Sequence, residues 1–525
     1  MNRRRAFARS LALVAVLALL VTMAAGCKAK LSADVRTELN IRLQYSEAKQ
    51  FDPSVIARAS EYYVTKNLYD GLVRFTPGGF EIEPDLATSW DISADGKEYT
   101  FHLRQGVQFH KGYGEMTAAD VVATFERLKN PKCELSYLFG SVIDKIEAVD
   151  TYTVKLTLLT PYAPLMTLLS YRNAVIVSKK AVEEKGDKEF GKSPIGTGPF
   201  EFQEMTDDKK VIVTAFADYW EGAQEVTKIT FCPIVDEGVA ALALEKGELD
   251  IIWTRGDATI AQLLENHPDI MVEKGMTVTT RYVGLNPGYA PLANEKVRWA
   301  LARAVDRQAI SDATAGFETP AKSLFNPLFF GYTETGIPDF SFNLDEAKAL
   351  LAEAGYPNGF DLNLLCSSRS PDPIVAQVIQ ENWKALGINV TLNSMEQGAY
   401  SEAKDKDQAT AEYQAVLMGV GRPPDPDLLL MEAFHSSANG KGRANNAFYG
   451  GADAEIEAAA REMDPAKRVE LYTALATQIL TDMPQIPITN TMYAACWRLP
   501  VVDYTPGSNN EFTAYTIKLG TELPK

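Results

Sequence analysis

Histidine is almost missing from this chain: 525 residues contain four, His102, His110, His267 and His435. No two stand at metal-ligand spacing, and neither HExxH nor a GxSxG elbow occurs, so zinc and serine-hydrolase chemistry lack their usual parts. His102 and His110 flank one strand-like run and read as surface residues. Cysteine is scarce as well. Cys27, Cys133, Cys232, Cys366 and Cys496 are widely spaced with no CxxC pair, and the last four read equally as up to two disulfides or as buried thiols. Positive charge is in deficit, 52 Lys and Arg against 69 Asp and Glu, for a net charge of -17. Such a chain does not hold nucleic acid through phosphate contacts. After residue 26 no apolar run approaches the roughly 20 residues a membrane span needs. Solenoid repeats and low-complexity segments are lacking too. Nothing calls for a cofactor or a metal, and no enzyme class is indicated.

One catalytic-looking motif is present and does not fit its surroundings. Gly186-Asp187-Lys188-Glu189-Phe190-Gly191-Lys192-Ser193 matches the P-loop pattern GxxxxGK(S/T), but a P-loop needs a buried strand before it and a helix after it to converge on phosphate. Here a charged, helix-like stretch over 178–185 precedes it, and Pro194-Ile195-Gly196-Thr197-Gly198-Pro199 follows.

What is present begins with an export signal. Arg3, Arg4, Arg5 and Arg9 precede an apolar run from Leu11 to Met23, then Ala24-Ala25-Gly26-Cys27. This is a signal peptide over 1–26, and its end resembles a lipoprotein box, with Ala24 where leucine is usual. Lipidation of Cys27 and an extracytoplasmic, lipid-anchored protein in the periplasm or on the outer face of the cell membrane are therefore expected. Arg4-Arg5-Ala6-Phe7 also looks like a twin-arginine signal, so both export routes stay open. Cleavage removes four arginines and leaves a more acidic chain, too long for one core.

The early part reads as sheet-rich: an Asp95-Gly96 turn joins two strand-like runs, and Tyr99, Phe101 and Leu103, then Tyr152, Val154, Leu156 and Leu158, alternate. Thr117 and Asp120 form a capping box before a helix with Val121, Phe125 and Leu128 on one face. The later part reads as α/β. A helix starting at Asn294 carries Val297, Leu301, Ala304 and Val305, and another over 344–354 ends at Gly355. Phe360, Leu362 and Leu364, a helix from Asp372-Pro373 stopped by Gly387, and Ile388, Val390 and Leu392 make a βαβ unit. A buried strand over 413–420 runs into Gly421-Arg422-Pro423-Pro424-Asp425-Pro426. Ligands in open α/β sheets sit beyond the carboxyl ends of strands, so this loop is the predicted binding region.

Several ordered motifs resemble one family. Tyr69-Asp70-Gly71-Leu72-Val73-Arg74, Glu83-Pro84-Asp85-Leu86-Ala87-Thr88-Ser89-Trp90 and Tyr99-Thr100-Phe101-His102-Leu103-Arg104 come first. Pro194-Ile195-Gly196-Thr197-Gly198-Pro199-Phe200, Glu248-Leu249-Asp250-Ile251, Val297-Arg298-Trp299-Ala300-Leu301 and Ala352-Glu353-Ala354-Gly355-Tyr356-Pro357-Asn358-Gly359 follow. Over about 40 to 490 the chain resembles the bacterial extracellular solute-binding proteins of family 5, which serve peptide- and nickel-type ABC importers. The resemblance implies an α/β, two-lobe periplasmic-binding-protein clamshell of the large type II class. One lobe would hold 27–75, 195–283 and 490–525, the other 284–489, with an extra sheet-rich domain of 76–194 on the first. It also implies a monomer that closes over an oligopeptide or peptide-like, acidic solute and delivers it to permease subunits. The alternatives are a metal chelate, sugar or opine-like ligand, or a solute-sensing lipoprotein without transport.

In peptide-binding relatives an aspartate after the strand equivalent to 413–420 pairs with the peptide ammonium; here that position carries Arg422. This sign change disfavours a free amino terminus and suits a carboxylate or phosphate, unless Arg422 merely pairs with Asp425 or Asp427 to brace its loop. Gly419 and Val420 adjoin it. Arg369, after the strand ending at Leu365, is a second candidate, with an exposed loop charge as its bland reading. The resemblance adds Arg58 and Ser60 on the opposite lobe, in Ala57-Arg58-Ala59-Ser60, together with Gln397, Tyr400 and Tyr493. Both tyrosines read equally as core aromatics.

Overall fold

A computed structural model describes residues 37–44, 48–56, 59–131, 133, 136–440, 442–498, 501–508 and 512–520. The expected signal peptide over 1–26, Cys27, Ala57 and Arg58 lie outside the described residues. Ten strands stand side by side in the largest sheet, in the order Phe200–Met205, Val211–Ala215, Lys228–Pro233, Glu38–Leu43, Ile251–Arg255, Gln485–Arg498, Ile270–Leu285, Ala415–Gly421, Asp361–Ser367 and Asn389–Met395. An eleventh, Glu318–Pro320, pairs with Gln485–Arg498. Asp361–Ser367 and Asn389–Met395 run parallel around helix Asp372–Lys384, which makes the βαβ unit that the alternation predicts.

The two longest strands carry the join between two bodies. Ile270–Leu285 and Gln485–Arg498 are antiparallel from Ile270 opposite Arg498 to Met276 opposite Met492; the register then breaks and resumes at Thr280 opposite Asn490. On one side of the break the core is built from residues such as Leu39, Phe101, Phe125, Phe231, Trp253 and Trp497. On the other it is built from Tyr282, Leu301, Trp383, Leu417, Tyr472 and Ile486. The break is polar yet buried, and its groups are bonded: Thr280 Oγ1 donates to Asn490 Oδ1 at 2.8 Å, Thr277 Oγ1 to the Thr491 carbonyl at 2.9 Å, and Asn326 Nδ2 to the Thr277 carbonyl at 3.0 Å.

The sheet-rich segment forms a separate antiparallel sheet, Ala87–Ile92, Glu98–Leu103, Thr153–Leu158 and Ile143–Asp150. Tyr99, Phe101 and Leu103 point inward as the period-two pattern requires. Helix Ala118–Lys129 covers this sheet, with the Thr117/Asp120 capping box at its start.

One expectation needs correction. His110 is fully buried, edge-on to Phe216; its Nδ1 accepts from the Gly196 N–H at 3.3 Å and its Nε2 faces the Gly198 carbonyl at 2.9 Å. Burial holds its pKa down to about 4, so the neutral ring clamps the glycine-rich turn. The helix before the P-loop-like motif kinks at Gly186 (φ 72°) and continues into the motif as far as Phe190, so no buried strand precedes the motif and most of it is helical rather than phosphate loop. Gly196 and Gly198 have a packing duty instead. A Cβ at Gly196 would lie 2.1 Å from the Leu68 carbonyl oxygen, and one at Gly198 2.5 Å from the Leu68 carbonyl carbon. Of the two cysteine readings the structure carries the second: Cys133, Cys232, Cys366 and Cys496 are buried thiols.

Candidate ligand-binding site

A cavity of about 280 Å³ opens where strands from both bodies end. Its floor is the pairing of Ile270–Leu285 with Ala415–Gly421, which sets Arg281 opposite Gly419 and Thr279 opposite Gly421. Missing side chains at the two glycines leave room above the sheet; a Cβ at Gly419 would already stand 3.2 Å from Thr279 Cγ2. Asp361–Ser367 delivers Ser367, Arg369 and Ser370 at its carboxyl end, helix Gln397–Lys404 delivers Gln397, Tyr400 and Lys404, and Ile251–Arg255 delivers its last residue from the other body.

Although the chain is acidic, among the described residues six cations line this cavity, Arg255, Arg281, Arg369, Lys404, Arg422 and Arg443, against two carboxylates, Asp372 and Glu432. Buried Arg281 bridges Glu318, at 2.8 Å, and Asp372. Glu318, just outside the lining, also accepts from Thr489 Oγ1 at 2.5 Å and Thr491 Oγ1 at 2.9 Å. Burial raises the pKa of Asp372 and the nearby Glu318 adds to this, while Arg281, Arg255 and Arg369 oppose it. Three guanidinium groups thus converge on two carboxylates. A guanidinium does not shed its proton at any ordinary pH, so the excess positive charge stays.

The family model of the bacterial extracellular solute-binding proteins, family 5, matches residues 81–441. The chain belongs to that family. Among curated relatives, the dipeptide-binding protein of Escherichia coli K12 is 31% identical, over 88% of this chain and 90% of its own length. Among solved structures, an ABC transporter-associated periplasmic binding protein of Helicobacter pylori, in complex with the peptide STSA, superposes with a TM-score of 0.81 at 31% identity, covering 92% of this chain and 98% of its own. The binding protein MoaA of A. tumefaciens R10, in complex with mannopinic acid, gives 0.82 at 29% identity, covering 92% and 100%.

In this family 5 protein the cavity gathers Arg369, Gln397, Tyr400, Gly419, Val420 and Arg422 from the residues that the sequence singles out. Tyr400 packs as a core aromatic, its hydroxyl donating to the Leu417 carbonyl at 2.8 Å. Tyr493 is not at the cavity. It stacks on Trp253 with ring centroids 5.7 Å apart and covers Gly275. Ser60 is buried in helix Ala59–Thr65 and does not line the cavity either.

The loop-bracing reading of Arg422 named the wrong partners. Its Nε and Nη2 bind Glu432, and Nη1 donates to the Gly421 carbonyl at 2.9 Å. Asp425 caps helix Pro426–Ala433 and takes Arg468 at 2.8 Å, while Asp427 accepts from Tyr162 at 2.6 Å. The helix returns Glu432 to Arg422 and leaves both aspartates at its start committed elsewhere.

Arg255, Arg281, Asp372, Lys404, Glu432 and Arg443 escaped the sequence reading. Arg255 ends a strand in the Glu248-Leu249-Asp250-Ile251 region, so the carboxyl-end rule would have found it. Arg281, in mid-strand, and Arg443, in a loop, carry no local signal.

Proposed function

We propose that this family 5 binding protein captures a small anionic solute and hands it to the permease of an ABC importer. The observation that carries the reading is the cation excess of the cavity, with Arg255 contributed from one body and Arg281, Arg369, Arg422 and Arg443 from the other. A net positive, partly dry pocket favours a carboxylate through paired, charge-assisted hydrogen bonds and repels an ammonium group. The complexes of relatives with a peptide and with mannopinic acid support a small polar ligand. The lobes in this reading are 27–75, 195–283 and 490–525 against 284–489, with 76–194 as the added domain. They hinge at the register break between Met276 and Thr280, and binding shifts the population toward the closed form.

Native mass spectrometry of protein purified gently from its exporting host tests this. An acidic solute is expected, lost or weakened in Arg369→Ala; a peptide with a free amino terminus or a neutral sugar overturns the anionic reading.

The basic and apolar leader over 1–26 and Cys27 support a lipoprotein outside the cytoplasm, which the reading takes to be a monomer. Among the described residues no helix is long and apolar enough to cross a membrane. Cys27→Ser is expected to move the protein from the membrane to the soluble fraction, and retention in the membrane fraction would count against lipidation.

A further inference from the structure

We infer that the solute is a dicarboxylic acid and that Arg443 selects for its second carboxylate; this rests on the anionic reading above. The cavity has two cationic ends. At one, Arg255, Arg281 and Arg369 surround Asp372. At the other, Arg422 is taken up by Glu432 and by the Gly421 carbonyl, so its charge is already matched. Arg443 beside it is different. It is half-buried, its guanidinium reaches only the Ser437 carbonyl at 3.5 Å, and no carboxylate among the described residues pairs with it.

Its position is nonetheless held. The guanidinium carbon lies 3.5 Å from the centroid of the Tyr137 ring, a cation–π contact that holds the group in place without pairing it with a carboxylate. Tyr137 sits on helix Ser136–Val142 in the sheet-rich segment, so that segment aims a cavity residue. Burial pulls the pKa of Arg443 down, against the opposing pull of Tyr137 and of Glu432, the carboxylate that Arg422 already holds. A group that serves only to pack would be better as an uncharged side chain here, since a half-buried unpaired cation costs desolvation energy.

The floor relates the two ends. Arg281 opposes Gly419, and Gly421, next to Arg422, opposes Thr279 two residues along the same strand. Two residues of strand separate these backbone positions by roughly 7 Å, a length scale that a short dicarboxylic acid can bridge. One carboxylate then meets Arg369 and Arg255, and the other meets Arg443.

Isothermal titration of the mature full chain, unfolded and refolded to remove carried-over solute, tests this. The probes are matched pairs: glutarate with glutaramate, adipate with adipamate, and glutathione with its glycyl monoethyl ester. In at least one pair the diacid is expected to bind about tenfold or more tightly, about 1.4 kcal/mol. Arg443→Gln should bring that ratio toward one, and Arg443→Lys should keep part of it. A thermal unfolding scan of each variant checks that it is folded. The inference is overturned if both members of every pair bind equally, if no diacid binds, or if the preference survives Arg443→Gln. Equal binding within the pairs leaves the anionic reading standing; binding of Ala-Ala with none of the acids removes both.

Discussion

Two buried charge clusters of this chain, one at the cavity and one at the foot of the sheet-rich segment, handle an excess of charge in opposite ways. In the second, Asp70 accepts from Thr197 at 2.9 Å and Trp220 at 3.1 Å, and Asp85 accepts from the Gly71 N–H at 2.9 Å. Arg74 reaches Glu83 at 2.7 Å, Glu221 at 2.8 Å and Asp85 at 3.6 Å. Carboxylates outnumber cations, and the residual space is about 10 Å³, hardly a water. Burial, then repulsion from Asp70, pushes Asp85 up to about 8, so a proton relieves the excess. At the cavity the excess is positive, resides on arginines that keep their protons, and borders about 280 Å³ of space. A cluster that can neutralise itself is structural; one that cannot, and is left room, is suited to a ligand of opposite charge.

Three substitutions would break or sharpen that contrast. The largest effect is expected for Arg281→Ala, which strands buried Glu318 and Asp372 beside each other; about 3–5 kcal/mol of stability should be lost in denaturant unfolding. A loss under 1 kcal/mol would show that protons rescue this cluster as they do the other. Next, Arg369→Ala removes an exposed side chain, so stability should hold within about 0.5 kcal/mol while affinity for the acidic solute falls by about 1.5–3 kcal/mol. Unchanged affinity in titration would take Arg369 out of the site.

A further effect concerns pH. Because folding raises the pKa of Asp85 from an ordinary carboxyl value to about 8, the native state holds the extra proton across that interval. Stability from this group is therefore present at low pH and lost as pH rises through about 8. Asp85→Asn should show a shallower fall in Tm between roughly pH 5 and 8 than the parent chain. Parallel curves would place the proton elsewhere.

Much of the fold was legible because its signals are local. Alternation over Tyr99, Phe101 and Leu103, the Thr117/Asp120 box and the Asp372 to Gly387 helix are each decided within a few residues, and the structure reproduces them. The site was legible in part. The carboxyl-end rule pointed to Gly419, Val420, Arg422 and Arg369, all at the cavity, but a guanidinium's partner depends on what the fold brings near. Three acids follow Arg422 within ten residues, and helix geometry chose the farthest, Glu432. His110 looked like a surface residue because its contacts, Gly196 and Gly198, lie far along the chain.

By itself, then, the sequence determined the α/β pattern and the family, since both are written in short-range periodicity and ordered motifs. Only the tertiary structure decided which charges are matched. Arg281 meets Asp372 across 91 positions and Asp70 meets Thr197 across 127. Pairing over such separations is set by strand order and register, and it leaves Arg443 as the cavity cation with no carboxylate of its own among the described residues.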